Sequence, residues 1–379
     1  MIIYVVKRGD NVSNIAARYG ISEERIIYVN QLNYPYRLVV GQSLLLTFED
    51  IFDGNKIPAN GFAYPFISAW VLRQTLPFLE ELSVFSYGFT TMGELVLPQL
   101  PTEWMIREAY YYGVRPILTL TPFGPDGNFN NYLIHAVLSD ENARNALITN
   151  VRNTVEDSGY QGVNIDFEFI LSEDRDLFTA FVRDMTFTIR ELGYEVTVDL
   201  APKTSDNQPG VLYEGKDYAA LGQAADRALI MTYEWGYTYG PAMAVAPINK
   251  VREVHDYAVT VIPNRKISIG VPNYGYDWRL PYVRGESKAV TIGNIEALQI
   301  AINNNSEIRF DEVAKTPYFT YVSDGTTHEV WFEDARSILA KYKLIREYDL
   351  YGLGCWQIMQ LFRMMWILAQ AELEEVTVE

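Results

Sequence analysis

Apolar and polar positions along the chain change period several times, and each change marks an element. Residues 3–6 form a short apolar run that ends at Gly9-Asp10-Asn11, where Asp10 or Asn11 can cap a helix running to Tyr19 before Gly20. Ser22, followed by Glu23 and Glu24 and by an Ile26/Ile27/Val29 face, opens a second helix, and Leu44-Leu45-Leu46 closes the unit as a strand. Residues 1–48 therefore read as a βααβ module, and 49–60, with Asp53-Gly54 and Pro58, as a short polar linker. Beyond it, compact apolar runs at 61–67, 82–89, 115–121, 162–167, 195–201, 227–233, 266–272 and 352–358 alternate with helix-like segments. One helix is plain: it follows Ser172, carries Leu177, Phe178, Phe181, Val182, Met185 and Ile189 on one face, and stops at Gly193. Eight strands separated by crossover helices predict an α/β fold, a parallel (β/α)8 barrel over 61–379. The gap before the last strand is too long for one crossover. Its stretch at about 280–330 is rich in Tyr and Thr with turn signals, and 332–348 supplies the seventh helix.

The fourth run sharpens the picture. In Gly162-Val163-Asn164-Ile165-Asp166-Phe167-Glu168-Phe169, large apolar residues alternate with an amide and two carboxylic acids. An extended strand places the three polar side chains on one face, about 6.5–7 Å apart. A merely solvated face would explain the alternation, but not why its polar residues are two acids and an amide opposite such large apolar groups. Two carboxylates brought together in a packed strand raise the proton affinity of one of them, which keeps a neutral acid available as a donor near neutral pH. A divalent-metal site would use the same residues, but His135, His255 and His328 are scattered and supply no ligand spacing, so neither a metal nor another cofactor is expected.

Composition narrows the partners. The chain is 49% hydrophobic, with 27 Tyr, 18 Phe and 7 Trp, enough for a large core and equally suited to a sugar-binding cleft. Formal charge is 31 − 48 = −17, which argues against nucleic acid and anionic membrane as partners. Residues 1–50 hold five basic and five acidic residues, so the excess negative charge lies in the rest of the chain. Cys355 is the single cysteine and excludes an internal disulfide. The opening Met1-Ile2-Ile3-Tyr4-Val5-Val6-Lys7-Arg8 reads as a strand rather than a signal peptide, and no run of about 20 apolar residues predicts a membrane span.

Gln161 to Glu168 resembles the Asp-Gly-x-Asp-x-Asp-x-Glu signature of glycoside hydrolase family 18, with Gln161 and Asn164 in place of the first two Asp. That resemblance implies a TIM barrel with a small α+β insertion between strands 7 and 8, Glu168 as general acid, and Asp166 as the residue that orients the substrate's N-acetyl group. Met231-Thr232-Tyr233-Glu234 resembles the family's Met-x-Tyr-Asp, which gives Tyr233 a hydrogen bond to the N-acetyl oxygen and makes Met231 and Glu234 substrate-binding. Trp356 matches the Trp flooring the scissile-sugar pocket, Tyr87 matches the family's Tyr-x-Phe, and Asn164 completes the substrate-binding set. Leu120-Thr121-Pro122-Phe123 departs from the Ser-x-Gly-Gly of many chitinases.

At the N-terminus, Tyr4-Val5-Val6-Lys7-x-Gly9-Asp10, Ile15-Ala16-x-x-Tyr19-Gly20, Asn30-x-Leu32 and Gly41-Gln42-x-Leu44 together resemble a LysM domain. The implied partner is peptidoglycan or another N-acetylglucosamine-containing glycan, held between the loop carrying Gly9, Asp10 and Asn11 and the one carrying Asn30 and Leu32. The balanced charge and polar linker predict that this module folds separately. Asn164, Tyr-Glu-Trp-Gly at 233–236 and Val-Trp-Phe-Glu-Asp-Ala-Arg at 330–336 are similar to the spore-type branch of the family, the cortex-lytic or spore-germination hydrolases. That branch implies a place at the spore coat, cortex or cell envelope; with no recognisable signal peptide, deposition from the mother-cell cytoplasm is expected, and the chain is expected to be a monomer. It also implies substrate-assisted retention, in which the acetamido oxygen is the nucleophile and no second carboxylate is required. A catalytically silent glycan-binding coat protein is the competing reading, and Glu168 is the residue that separates the two.

Overall fold

The structure, a computed structural model, describes residues 1–48, 57–371 and 376–379. Most of the expected linker, 49–56, lies outside the described residues. The eight expected runs form Ala59–Ala63, Glu81–Phe89, Arg115–Leu120, Gly162–Ile165, Glu195–Leu200, Arg227–Ile230, Ile267–Pro272 and Gly352–Trp356. They pair in parallel in chain order, and the first strand closes on both the second and the eighth. This is a TIM barrel.

Strand alternation divides its core in two. Val163, Ile165, Val196, Val198, Ala228, Ile230, Ile269 and Val271 face the helices in one continuous buried cluster, while Asn60, Ser83, Asn164, Asp199 and Arg227 belong to the opposite, inward set. At the N-terminal end the inward residues close the barrel with charge. The Arg227 guanidinium pairs with Glu81 and lies 3.0 Å from Glu195, Arg115 lies 2.7 Å from Glu81, and Tyr351 packs its ring 4.5 Å from the Arg227 guanidinium. Chemistry is thereby left to the opposite end, where the polar residues of strands four to six emerge.

The insertion begins earlier than its Tyr-rich composition suggests. Gly275–Arg279, Val290–Ile292, Arg309–Asp311, Thr316–Ser323 and Thr326–Trp331 form a five-stranded antiparallel sheet. One face covers the helix Asn294–Asn303 through Phe319, Val330 and Phe332. The other presents Tyr274, Tyr276, Trp278 and Trp331 beside the barrel mouth.

The N-terminal module has the expected order, Ile2–Val5, Val12–Tyr19, Glu23–Val29 and Ser43–Leu46. Asn11 and Ser22 cap the two helices, and Gly20 ends the first in the left-handed conformation. Its relation to the barrel differs from that of a tethered bead. Ile3, Val29 and Leu45 belong to the buried cluster that forms the barrel core. Arg363 donates from its backbone to Gln31 Oε1 at 2.6 Å and from its side chain to Tyr28 O at 2.6 Å, with its guanidinium 3.8 Å from the Tyr28 ring centre. On the insertion side, Ile308 N–H donates to Val40 O at 2.9 Å, and a Cβ on Gly41 would stand 1.8 Å from Ile308 O. The chain's last strand, Thr377–Val378, pairs in parallel with Ile2 and Ile3 and makes a third strand of the module's sheet. The expected independence gives way to docking because these contacts join segments far apart in sequence, which a local pattern does not record. Among the described residues no helix is long and apolar enough to cross a membrane.

Candidate active site

A cleft of about 350 Å³ opens at the C-terminal ends of the barrel strands. Asp166, Glu168, Asp199, Met231, Tyr233 and Glu234 line one side, and Phe62, Tyr64, Phe85, Phe123, Phe129 and Trp356 the other. Its position follows from the fold, because the alternation that sends Ile165 and Phe167 outward sends Asn164, Asp166 and Glu168 inward. Trp356, at the end of the eighth strand, packs 4.9 Å from Phe85 and 6.0 Å from both Phe62 and Tyr64. A half-buried indole in an aromatic wall offers a flat apolar surface to the face of a pyranose.

The polar side is a coupled set. Asn164 is fully buried and donates its amide to Asp199 Oδ1 at 2.7 Å. Burial, reinforced by the charge of Glu168 and opposed by Lys216, raises the Asp166 carboxyl to about 8. Burial likewise raises Glu168, again against Lys216. Asp199 is pushed well above the carboxylate range by burial and then by Asp166, with the Asn164 amide and Lys216 pulling the other way. Tyr233 is held neutral by burial and by Asp199, Asp166 and Glu168. The outcome is a site that retains protons near neutrality, with half-buried Glu168 open to the cleft. Glu234 lies at the rim, where the Tyr274 hydroxyl bonds Oε1 and the Tyr276 hydroxyl sits 2.9 Å from the same atom. Among the described residues no group of three or more His, Cys, Asp or Glu is arranged to hold a metal ion.

Asp166, Glu168, Tyr233, Met231, Glu234 and Trp356 thus meet in one cleft, with Asn164 beneath them. Tyr87 does not join them. The second strand carries an irregularity between Val84 and Tyr87, where three steps along it match two along the third strand. One extra residue inverts the alternation. Phe85, two steps on from the inward Ser83, enters the cleft as alternation requires, whereas Tyr87, beyond the extra residue, turns outward among the helices, its hydroxyl 3.2 Å from Tyr160 and 3.5 Å from Thr102.

The module's expected glycan residues separate in the same way. Asn30 is 1% exposed, donates to Ile26 O and Leu45 O, and accepts from Leu45 N–H at 2.7 Å, so it ties helix to strand rather than facing a ligand. Asp10 accepts from Tyr4 and from Lys7 N–H, Asn11 caps its helix, and Leu32 packs on the module core. Gly9 remains exposed at a φ of +90°. Asp199 and Lys216 were not anticipated. Asp199 follows the same alternation as the fourth strand, between Val198 and Leu200, and was legible there; Lys216 lies on a loop with no periodic signal.

Comparison with known proteins agrees with this architecture. A model of the glycosyl hydrolases family 18 matches residues 123–360, and a model of the LysM domain matches 4–47. The chain is 34% identical to a cortical fragment-lytic enzyme of Bacillus subtilis, covering 97% of each. It is 31% identical to human di-N-acetylchitobiase across 52% of this chain and 57% of that one. The crystal structure of the Bacillus cereus spore cortex-lytic enzyme SleL superposes with a TM-score of 0.91 at 32% identity, covering 100% of this chain and 98% of that one.

Proposed function

The chain belongs to glycosyl hydrolase family 18, and from that premise we propose that it cleaves glycosidic bonds at N-acetylglucosamine in spore-cortex peptidoglycan or its fragments, with retention and substrate assistance. That it is a glycoside hydrolase follows from the family. The substrate rests on the relatives, named as cortical fragment-lytic enzymes in Bacillus subtilis and Bacillus anthracis, and the same names support a location at the spore. The mechanism rests on one observation: Glu168 and Asp166 share a cleft with Tyr233 and an aromatic wall that includes Trp356.

In this reading Glu168, its proton retained by burial, protonates the leaving glycosidic oxygen as that bond to the anomeric carbon breaks. The substrate's acetamido oxygen forms the new bond to the same carbon and gives an oxazolinium ion. Asp166, drawn toward its ionised form by Lys216 and by the new positive charge itself, balances that charge, and the Tyr233 hydroxyl orients the acetamide. Glu168, now a carboxylate, takes a proton from water as the water attacks and the acetamide leaves. Each proton donated is recovered, and the anomeric configuration is restored by two inversions. The N-terminal module would hold insoluble wall near the cleft through N-acetylglucosamine. Partnership with that glycan alone, as a monomer, completes the reading.

The test compares turnover of an N-acetylglucosamine oligomer with that of its de-N-acetylated counterpart. Cleavage of the first, inertness of the second and inhibition by a thiazoline mimic of the intermediate are expected. Comparable rates, or a glycosyl ester trapped on any Asp or Glu, would refute the mechanism. Mass spectrometry of muropeptides released from spore cortex and from vegetative sacculi tests the substrate, with release from cortex expected.

A further inference from the structure

Two lysines on the loop after the fifth strand are completely buried, and they are bonded differently. Lys203 donates to Asp206 O at 2.9 Å and to Lys216 O at 2.8 Å, and lies 3.6 Å from the Asp206 carboxylate, so its ammonium is spent on the loop itself. Lys216 has one protein acceptor among the described residues, Asp199 O at the long distance of 3.5 Å. Asp199 also accepts from the Asn164 amide, and two buried acceptors of this polar set lack a donor: Asp166 Oδ1 and Asn164 Oδ1. An under-bonded ammonium among under-bonded acceptors is costly if its role is structural, and the fully enclosed Lys341 shows the alternative, a 2.8 Å bond to Glu333.

Charge counting gives Lys216 a purpose. Burial pushes the Lys216 ammonium down, while the charges of Glu168, Asp166 and Asp199 hold it up, and the fully ionised set would carry 1 − 3 = −2. The proposed cycle needs Glu168 protonated while Asp166 is ionised. With Asp199 protonated, as its raised carboxyl implies, that state is neutral when Lys216 is charged and carries −1 without it, and a buried site sheds such charge by binding a proton on Asp166. In the resemblance that led to this cleft the position of Asn164 is an Asp, and an amide can neither hold nor release that proton. We propose, on the reading of the cleft given above, that Lys216 is a positioning residue whose enclosed ammonium draws Asp166 toward its ionised form and leaves the catalytic proton to Glu168. The other groups around the set are Tyr233 and Glu234 after the sixth strand, and Lys203 and Asp206 on its own loop, with Asp206 and Asp217 engaged by Arg175.

The experiment is the pH profile of kcat/KM on a soluble N-acetylglucosamine oligomer for wild type, Lys216→Met and Lys216→Arg, each checked for fold by circular dichroism. Lys216→Met should move the acid limb upward by about one pH unit or more and lower kcat on that limb by about tenfold, with little change in KM. Lys216→Arg, which keeps the charge, should return the limb toward wild type. A folded Lys216→Met enzyme with an unmoved profile would overturn the proposal. If that variant does not fold, the ¹⁵N resonance of Lys216 Nζ in wild-type enzyme, assigned by its loss in Lys216→Arg, decides. An ammonium at the pH of maximal activity supports the proposal, and a neutral amine overturns it. Failure of the wild type to distinguish acetylated from de-N-acetylated oligomers would instead fell the reading of the cleft, and the ¹⁵N measurement would still judge the charge state of Lys216.

Discussion

Tyr87 and Phe85 stand two apart on one strand, a spacing that ordinarily puts both on the same face. The bulge between Val84 and Tyr87 separates them, so the residue that resembles a sugar contact is a core tyrosine and its neighbour lines the cleft. Tyr87→Phe should therefore cost about 1 kcal/mol of stability through its lost hydroxyl and leave kcat/KM as it is, whereas Phe85→Ala should raise KM; melting curves and steady-state kinetics separate the two. Glu168→Gln removes only a proton, and a loss of about 10²–10⁴-fold in kcat with glycan binding intact is expected. Residual turnover within about tenfold of wild type would remove Glu168 from the acid's role. Asp166 carries a stability signature as well. Burial raises its carboxyl in the folded chain to about 8 from an ordinary 3.8. Between those values the folded state keeps a proton the unfolded state has released, so this group makes stability fall as pH rises through the window. Asp166→Asn should then melt higher than wild type at pH 8, by about 2 °C or more, and the gain should fade as pH drops toward 4. An advantage independent of pH would contradict the raised carboxyl.

The N-terminal module shows what an element's own sequence records. Its helices and strands follow from local signals, Asn11 and Ser22 at caps, Gly20 at a C-terminus, apolar faces three and four apart, and all four elements form where those signals lie. What the module touches was not legible. Ile3, Val29 and Leu45 look like any module's core, and nothing local says that they are buried against a barrel. The same holds for Asn30, whose amide spans helix and strand although its motif position suggests a ligand contact. Gly41 tests the docking at one atom. Its φ is +83° and its missing Cβ makes room for Ile308 O, so Gly41→Ala should destabilise the chain by about 2 kcal/mol or more through strain and displacement of the insertion. Denaturant unfolding measures it, and a change below about 0.5 kcal/mol would mean the contact yields freely.

At the scale of the whole molecule, the order of the barrel strands was readable because each strand keeps one apolar face toward helices and a selective face inward, and the helices between fix parallel pairing. The closure of the molecule at its two ends was not, since Thr377–Val378 pairs with Ile2 and Ile3 across the full length of the chain. That pairing ties the first module to the last segment, while Arg363 ties it to the barrel's closing stretch by hydrogen bonds and the Tyr28 ring. Burying three large aliphatic side chains on a shared core is worth about 1.5–3 kcal/mol each, comparable to the total stability of a small domain. A module joined this firmly should not melt by itself. Calorimetry of the full chain should show one cooperative transition, and Arg363→Ala should move the whole of it to lower temperature, because the substitution strips the Tyr28 carbonyl and ring of their partner. A fragment beginning at residue 49 should melt below the full chain and aggregate, with the faces once covered by Ile3, Val29 and Leu45 exposed. Two resolved transitions, the lower one alone sensitive to Arg363→Ala, would instead show a module that is perched on the barrel and leaves it before either unfolds.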